Sequence, residues 1–277
     1  MGLTLATQIA VHPATVTGTT FGVMPALSLW RREVVRFYRN ISRVVGVVAS
    51  PLIFWIVIGA GFGDSFRNAG TGNNYLHFFF PGALMMIVLF TSIFAMMSLI
   101  EDRNEGFLLS VLVAPVHRSV IVLGKVLGGT TLATMQGVLF LVIAPLLGIH
   151  FGIVQFLLVV LDIFLVSFSL TALGFIIAWP MESTSGFHAI INLFLIPLWL
   201  LSGSLFPVSS ASPWMAFVMR LNPLTYGTDA LRGLLFPGNG SMEFSLARSF
   251  AVLVVFTLVL FALAFVVANR RSTKSAA

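Results

Sequence analysis

Residues 153–179 read IVQFLLVVLDIFLVSFSLTALGFIIAW, with Asp162 as the one charge. The run exceeds the roughly 20 apolar residues that an α-helix needs to cross a hydrocarbon core of ~30 Å. Comparable runs occupy 44–62, 77–100, 120–147, 187–206 and 246–268. The fold expected is therefore an all-α integral membrane protein with six transmembrane helices spread over 44–268. Composition agrees: the 277 residues are 58% hydrophobic and 9% charged, with a mean hydropathy of +1.03, whereas soluble domains carry roughly 25% charge. Six spans and their connections leave no length for a separate soluble catalytic domain.

The formal charge of +6 would suggest nucleic acid in a soluble protein, but here each charge is read against the membrane. With the amino terminus inside, Arg31, Arg32, Arg36, Arg39, Arg43, Arg103, Arg118, Lys125, Arg270, Arg271 and Lys274 fall inside, and only Arg67, Arg220, Arg232 and Arg248 fall outside. An excess of basic residues on the cytoplasmic side sets orientation, so both termini are expected in the cytoplasm. Residues 1–26 have no Lys or Arg and no apolar core of a signal peptide, and read as a loose tail; 269–277 read as a second tail.

Between the first tail and the first span, Leu27, Trp30, Val34, Phe37, Tyr38 and Ile41 recur at helical spacing, with Arg32, Arg36, Arg39 and Arg43 opposite. A helix over 27–43 with that basic face, and with Trp30 as an aromatic anchor, suits the surface of an anionic leaflet rather than its interior. Two connections are more than turns. The inner one, 101–119, sets three acids and two arginines around the apolar stretch 107–113 before Pro115 breaks it, and reads as a short amphipathic helix. The outer one, 207–248, carries Trp214, Met215, Phe217, Val218, Met219 and Leu221 ahead of Asn222-Pro223. That much apolar surface in a loop predicts a re-entrant hairpin, which survives only where protein or a cavity satisfies its backbone.

Catalytic signatures are missing. Cysteine is absent, which removes disulfides and thiolate chemistry. Gly124-Lys125 is followed by Val126 and lacks the glycine-rich approach of a phosphate-cradling loop, and the five histidines are scattered singly. No cofactor or metal is expected in this chain. Asp162 is the one carboxylate deep in a span, where a charge costs at least ~2.5–3.5 kcal/mol unless paired or protonated; it must face protein or water, as a structural group or as a substrate or proton contact. Gly59-x-x-x-Gly63 and Gly124-x-x-x-Gly128 place small residues on one helix face and read as close-packing seams.

The inner connection reads Asp102-Arg103-Asn104-Glu105-Gly106-Phe107-Leu108, then Pro115-Val116-His117-Arg118, then Gly124-Lys125. This resembles the second-to-third-span loop of type-2 ATP-binding-cassette (ABC) exporter permeases, in which Arg-x-x-Gly precedes Pro-x-x-Arg and Gly-Lys. Where that family often has a Thr and a Glu, this chain has Phe107 and Leu109. Pro197, Leu201-Ser202-Gly203, Phe206-Pro207, Trp214, Asn222-Pro223-Leu224-Thr225-Tyr226, Asp229 and Arg232 resemble its second signature, most of all in the daunorubicin-exporter and nodulation-factor-exporter permeases. The resemblance implies a permease of the bacterial inner membrane that dimerises, with itself or a related permease. Two copies of a separate ATPase subunit drive it, and ATP and Mg bind in that partner. The implied cargo is an amphiphilic drug-like, lipid-like or lipid-linked glycan molecule moved outwards. Arg103, Glu105, Gly106, Pro115 and Arg118 are the candidates for the ATPase contact. Trp214, Asn222, Pro223, Tyr226, Asp229 and Arg232 are the candidates for shaping the outer hairpin, Asp229 and Arg232 as an ion pair at three-residue spacing. The competing readings are a proton-coupled carrier built on Asp162 and a membrane scaffold that transports nothing.

Overall fold

The computed structural model describes residues 23–39, 45, 49, 52–58, 61, 75–113, 117–237 and 242–269. Among the described residues the regular structure is entirely helical. In chain order the helices are α1 (Val23–Arg39), α2 (Tyr75–Ala95), α3 (Met97–Asn104), α4 (Phe107–Val113), α5 (Arg118–Leu141), α6 (Ile153–Ala178), α7 (Thr184–Leu200), α8 (Pro213–Leu221), α9 (Pro223–Leu235) and α10 (Leu246–Asn269). Among the described residues four stretches are long and apolar enough to cross a membrane: His77–Asn104, in which α2 passes through Met96 into α3, Arg118–Leu147, Ile153–Ala178 and Leu246–Asn269. Helix α7 is apolar but shorter, at 17 residues. The expected span over 44–62 falls largely outside the described residues, as do Arg43, Gly59, Gly63 and Pro115. Its described part, 52–58, is helical, with Trp55 buried edge-on against Phe80 and Phe140.

One expected span ends early, and a second changes helix type within its length, for local reasons. Helix α7 stops at Leu200 rather than at 206, because Gly203 takes a left-handed φ of +77° that only glycine adopts without strain. Helix α5 stops at Leu141 and resumes as a single 3₁₀ turn over Ala144–Leu147, where Pro145 has no N–H to extend the ladder.

Apolar packing is uneven. The stretch His77–Asn104 is the most enclosed of the four, with 72% of its most apolar part buried within the protein against 11% for α10, which turns Val254, Val255, Leu258, Val259 and Leu263 outward. Lipid is as apolar as leucine, so an outward valine face carries no penalty there. The ends of the helices are tied by arginines. Arg103 donates to the carbonyl oxygens of Trp179 and Met181 (2.7 Å) beyond α6, and Arg118 donates to Ala268 (3.0 Å) in the last turn of α10. Cations suit helix C-termini because they meet the orphan carbonyls and the negative end of the dipole. The ends of α3, α6 and α10 and the start of α5 thus share one face of the bundle, the charged end. The opposite face holds α8 and α9.

Candidate functional site

At the charged end α1 lies across α5. Gly124 and Gly128 permit the approach: a Cβ on either would come within 2.8 Å of the Cβ of Leu29 or Glu33. Close contact brings an acid and a base together inside the protein. Lys125 Nζ lies 2.6 Å from Glu33 Oε1, donates to Ser98 Oγ (3.2 Å) and also reaches Asp102 Oδ2. The Ser98 hydroxyl donates in turn to Glu33 Oε2 at 2.7 Å. Lys125, Glu33 and Asp102 are 1%, 5% and 0% exposed. Asp102 also accepts a forked pair from Arg32 (2.7 and 2.8 Å) and one bond from Arg36 (2.8 Å). Arg36 Nη2 sits 3.0 Å from Glu101 and 3.3 Å from Glu105, and the Arg32 guanidinium lies 3.7 Å over the Phe107 ring. Two arginines of α1 therefore grip both sides of the α3–α4 turn, which Gly106 makes at φ +77°.

The buried stripe of α1 differs from the one expected: Ala26, Leu29, Glu33 and Phe37 are buried, while Leu27 and Tyr38 are exposed, and Arg32 and Arg36 bind carboxylates of α3. A buried lysine and two buried acids left apart would each lose several kcal/mol of hydration, and that outweighs a modest difference in apolar area between two helix faces. Trp30 keeps a polar partner, its indole N–H donating to Thr131 Oγ1 at 2.9 Å; Arg39 is exposed.

Of the loop residues assigned from the sequence, Arg103 and Arg118 are engaged within the chain as helix-end caps. The Glu105 side chain is 58% exposed. Helix α4 buries Leu108 and exposes Leu109 and Val113 at 61% and 86%, an i, i+4 apolar pair on one helix face. The charge cluster of Glu33, Ser98, Asp102 and Lys125 and the pair Leu109 and Val113 were not singled out by sequence reasoning. One signal was available: Glu33 stands four residues from both Leu29 and Phe37, on an apolar stripe where a bare carboxylate needs a partner.

At the opposite end α8 gives way to α9 at Asn222-Pro223. Asn222 Oδ1 accepts from Leu224 N (3.0 Å), capping α9, while its Nδ2 donates to the carbonyls of Leu198 (2.6 Å) and Leu201 (3.0 Å), left open where α7 stops. Tyr226 donates its hydroxyl to Arg220 O at 2.9 Å. Gly227 packs against Met85 and Val166, and Phe236 stacks on His77 at 5.9 Å. Met85 lies about 12 Å along α2 from His77 at 1.5 Å per residue, so α9 climbs from the interior of the bundle to its rim. Trp214, Phe217 and Leu221 on α8 are exposed.

Asp229 and Arg232 do not form the expected direct ion pair. Asp229 accepts the backbone N–H groups of Glu243 (2.8 Å) and Phe244 (3.1 Å), strapping the segment before α10 to α9. Burial pushes its carboxyl above the usual carboxylate range against those bonds and the Arg232 charge. Arg232 donates to Gly203 O (2.9 Å) and lies 4.3 Å over the Phe78 ring; burial lowers it to about 10, so it stays charged at neutral pH. The separation follows from competition: each group finds backbone partners in its own direction, worth more than a lateral pair on one helix face at about 0.2–0.5 kcal/mol. Asp162 is fully buried in α6, and among the described residues neither carboxyl oxygen meets a donor.

The sequence profile of the ABC-2 type transporter family matches residues 26–236, a span that takes in both the α3–α4 turn and helices α8 and α9. The chain is similar to the putative transport permease ycf38 of Cyanophora paradoxa, 28% identical over 256 residues and covering 88% of each chain. It is similar to the inner membrane transport permease YadH of Escherichia coli, 26% identical over 237 residues, 84% of this chain and 90% of that one. It is also similar to the daunorubicin resistance ABC transporter permease protein DrrB1 of Streptomyces coeruleorubidus, 26% identical over 213 residues, 75% and 73% of the two chains. The match over most of its length, on a helical membrane fold, makes this chain a member of the ABC-2 type transporter family, a membrane permease.

Proposed function

We propose that the chain is the membrane-spanning half of an ABC exporter, working as a dimer in the bacterial inner membrane with its charged end and both termini in the cytoplasm. Two copies of a separate ATPase subunit dock on α4 and supply ATP and Mg. The observation that carries this reading is the apolar pair Leu109 and Val113, exposed on a short helix that stands outside the charge cluster, as a docking helix requires. In place of the family's Thr and Glu, this α4 offers a greasy contact, with Glu105 at its margin. Gly106 sets its first end, and Arg103 and Arg118 tie the flanking helices to α6 and α10 rather than meeting the partner directly. The α8–α9 arm with Asn222, Pro223 and Tyr226 forms a re-entrant hairpin at the outer mouth. An outward, amphiphilic cargo (drug-like, lipid-like or a lipid-linked glycan) is supported by the name of the DrrB1 relative and by a bundle interior of Phe, Leu and Met.

The test is capture of the tagged chain from its native membrane in mild detergent, with co-purifying proteins identified by mass. A stoichiometric ATPase with wild type that is lost in Leu109→Glu/Val113→Glu supports the reading; no ATPase in several detergents, or one retained undiminished in the double variant, refutes it. The proton-coupled alternative draws on Asp162, unpartnered among the described residues. It requires that uptake of daunorubicin into inverted vesicles follow an imposed proton gradient without ATP and vanish in Asp162→Asn.

A further inference from the structure

The family and the exposed face of α4 identify where a motor would push; they do not say what receives the push. Covalently, α4 is joined to α3 through the Gly106 turn and to α5 through the connection after Val113. The turn is a single left-handed glycine, a soft link, since glycine carries the least conformational restriction of any residue. What stiffens it is α1. Arg36 reaches Glu101 and Asp102 before the turn and Glu105 at it, while Arg32 holds Asp102 with a forked pair and covers Phe107, the first residue of α4. The other side of α1 is fixed to α5 by three independent contacts: the buried Glu33–Lys125 pair, the Trp30–Thr131 hydrogen bond and the close approach at Gly124 and Gly128.

Resting on the permease reading, we propose that α1, the α3–α4 turn and the first half of α5 move as one rigid body, and that Glu33, Arg36 and Lys125 are positioning residues which make α1 the strut between the docking helix and the membrane-crossing α5. A buried Lys–Glu pair is a poor source of net stability compared with an apolar replacement but a strong source of specificity, because every slipped arrangement leaves a charge unpaired. Helices held by packing alone slide by small steps with little resistance, as in shear motions of packed helices. A charged bolt through the α1–α5 seam removes that freedom. Displacement of α4 then reaches α5 through α1, without loss in the glycine turn.

The chain has no cysteine, so two introduced cysteines take spin labels without background. In the full complex with its ATPase, nitroxides at Arg31→Cys and Ser110→Cys report the α1–α4 distance, and nitroxides at Arg31→Cys and Leu127→Cys report the distance from α1 to the first half of α5, each measured without nucleotide and trapped with ATP and vanadate. Both distances are expected to stay constant between the two states in an otherwise wild-type complex. In Arg36→Gln the α1–α4 distance should become state-dependent while α1–α5 does not; in Glu33→Gln the reverse should hold. A purely structural role would broaden both distances alike in both variants. Should Glu33→Gln fail to assemble, Arg36→Gln, at a partly exposed site, still decides. A wild-type change approaching one helical turn, about 5 Å, or variants indistinguishable from wild type, overturns the proposal. Failure of the wild-type chain to bring down any ATPase is a different outcome: it overturns the permease reading and takes this one with it.

Discussion

Replacing Lys125 by methionine keeps the length and apolar stem of the side chain and deletes only the ammonium. Lys125 is the shared partner of Glu33 and Asp102, but the two acids are not equally dependent on it. Asp102 keeps three hydrogen bonds from Arg32 and Arg36. Among the described residues Glu33 keeps the Ser98 hydroxyl and an Arg32 nitrogen at 3.6 Å, with 5% of its surface exposed. Removing one member of a buried pair typically destabilises by about 3–5 kcal/mol, chiefly through the charge left behind, and here that charge is Glu33. Removing it as well, in Lys125→Met/Glu33→Leu, should recover most of the loss, since a buried pair exchanged for apolar residues of similar volume is often neutral or better. The double variant is thus expected to be more stable than the Lys125→Met single, with an interaction energy of up to about 3 kcal/mol. Equilibrium unfolding in mixed micelles, followed by helical circular dichroism for the four members of the cycle, measures it. A single-variant loss below about 1 kcal/mol, the value of a solvent-exposed pair, or a double variant no better than the single, would refute the account of a buried bolt.

Asn222 is both acceptor and donor, so its two nearest replacements should differ in a diagnostic order. Asn222→Ala loses the cap of α9, about 0.5–2 kcal/mol, and the bonds to Leu198 and Leu201. Asn222→Asp keeps the cap but turns a carboxylate oxygen toward those two carbonyls, and should melt lower than Asn222→Ala; the opposite order would mean that capping, not closure of α7, is the main role. Asp229 gives a pH signature. Its folded value is raised above the unfolded one by burial, so its contribution is fully present below about pH 4 and is lost as pH rises through the raised value. Thermal midpoints of wild type and Asp229→Asn, compared from pH 4 upward, should show wild type losing ground relative to the variant; parallel curves would remove Asp229 as the titrating group.

Length and apolar continuity made the membrane helices legible, because no other local arrangement satisfies the backbone of such a run in lipid. Helix α6 occupies Ile153–Ala178 and α10 occupies Leu246–Asn269, within a residue of the runs read from sequence. The break at Asn222-Pro223 and the amphipathic character of α1 and α4 were legible for the same reason: proline, asparagine and helical periodicity act within a few residues of themselves.

Rotations and partners were not. Periodicity gives α1 an apolar side, yet several faces of a short helix differ little in hydrophobicity, and the choice fell to Glu33, whose partner Lys125 lies 92 positions away. Asp229 and Arg232 sit at ideal spacing for a pair and part company, because backbone groups from residues 203, 243 and 244 reach them first. Arg103 and Arg118 look like surface charges in a loop and are helix caps. The sequence by itself determined that the chain is a helical membrane protein, where the runs of α6 and α10 lie and to which family the motifs point, since these follow from local burial and backbone chemistry. Only the tertiary structure decided which face of each helix is covered and which charge meets which, because those choices rest on the desolvation of groups far apart in the chain, whose energies of several kcal/mol override the smaller differences that local pattern records.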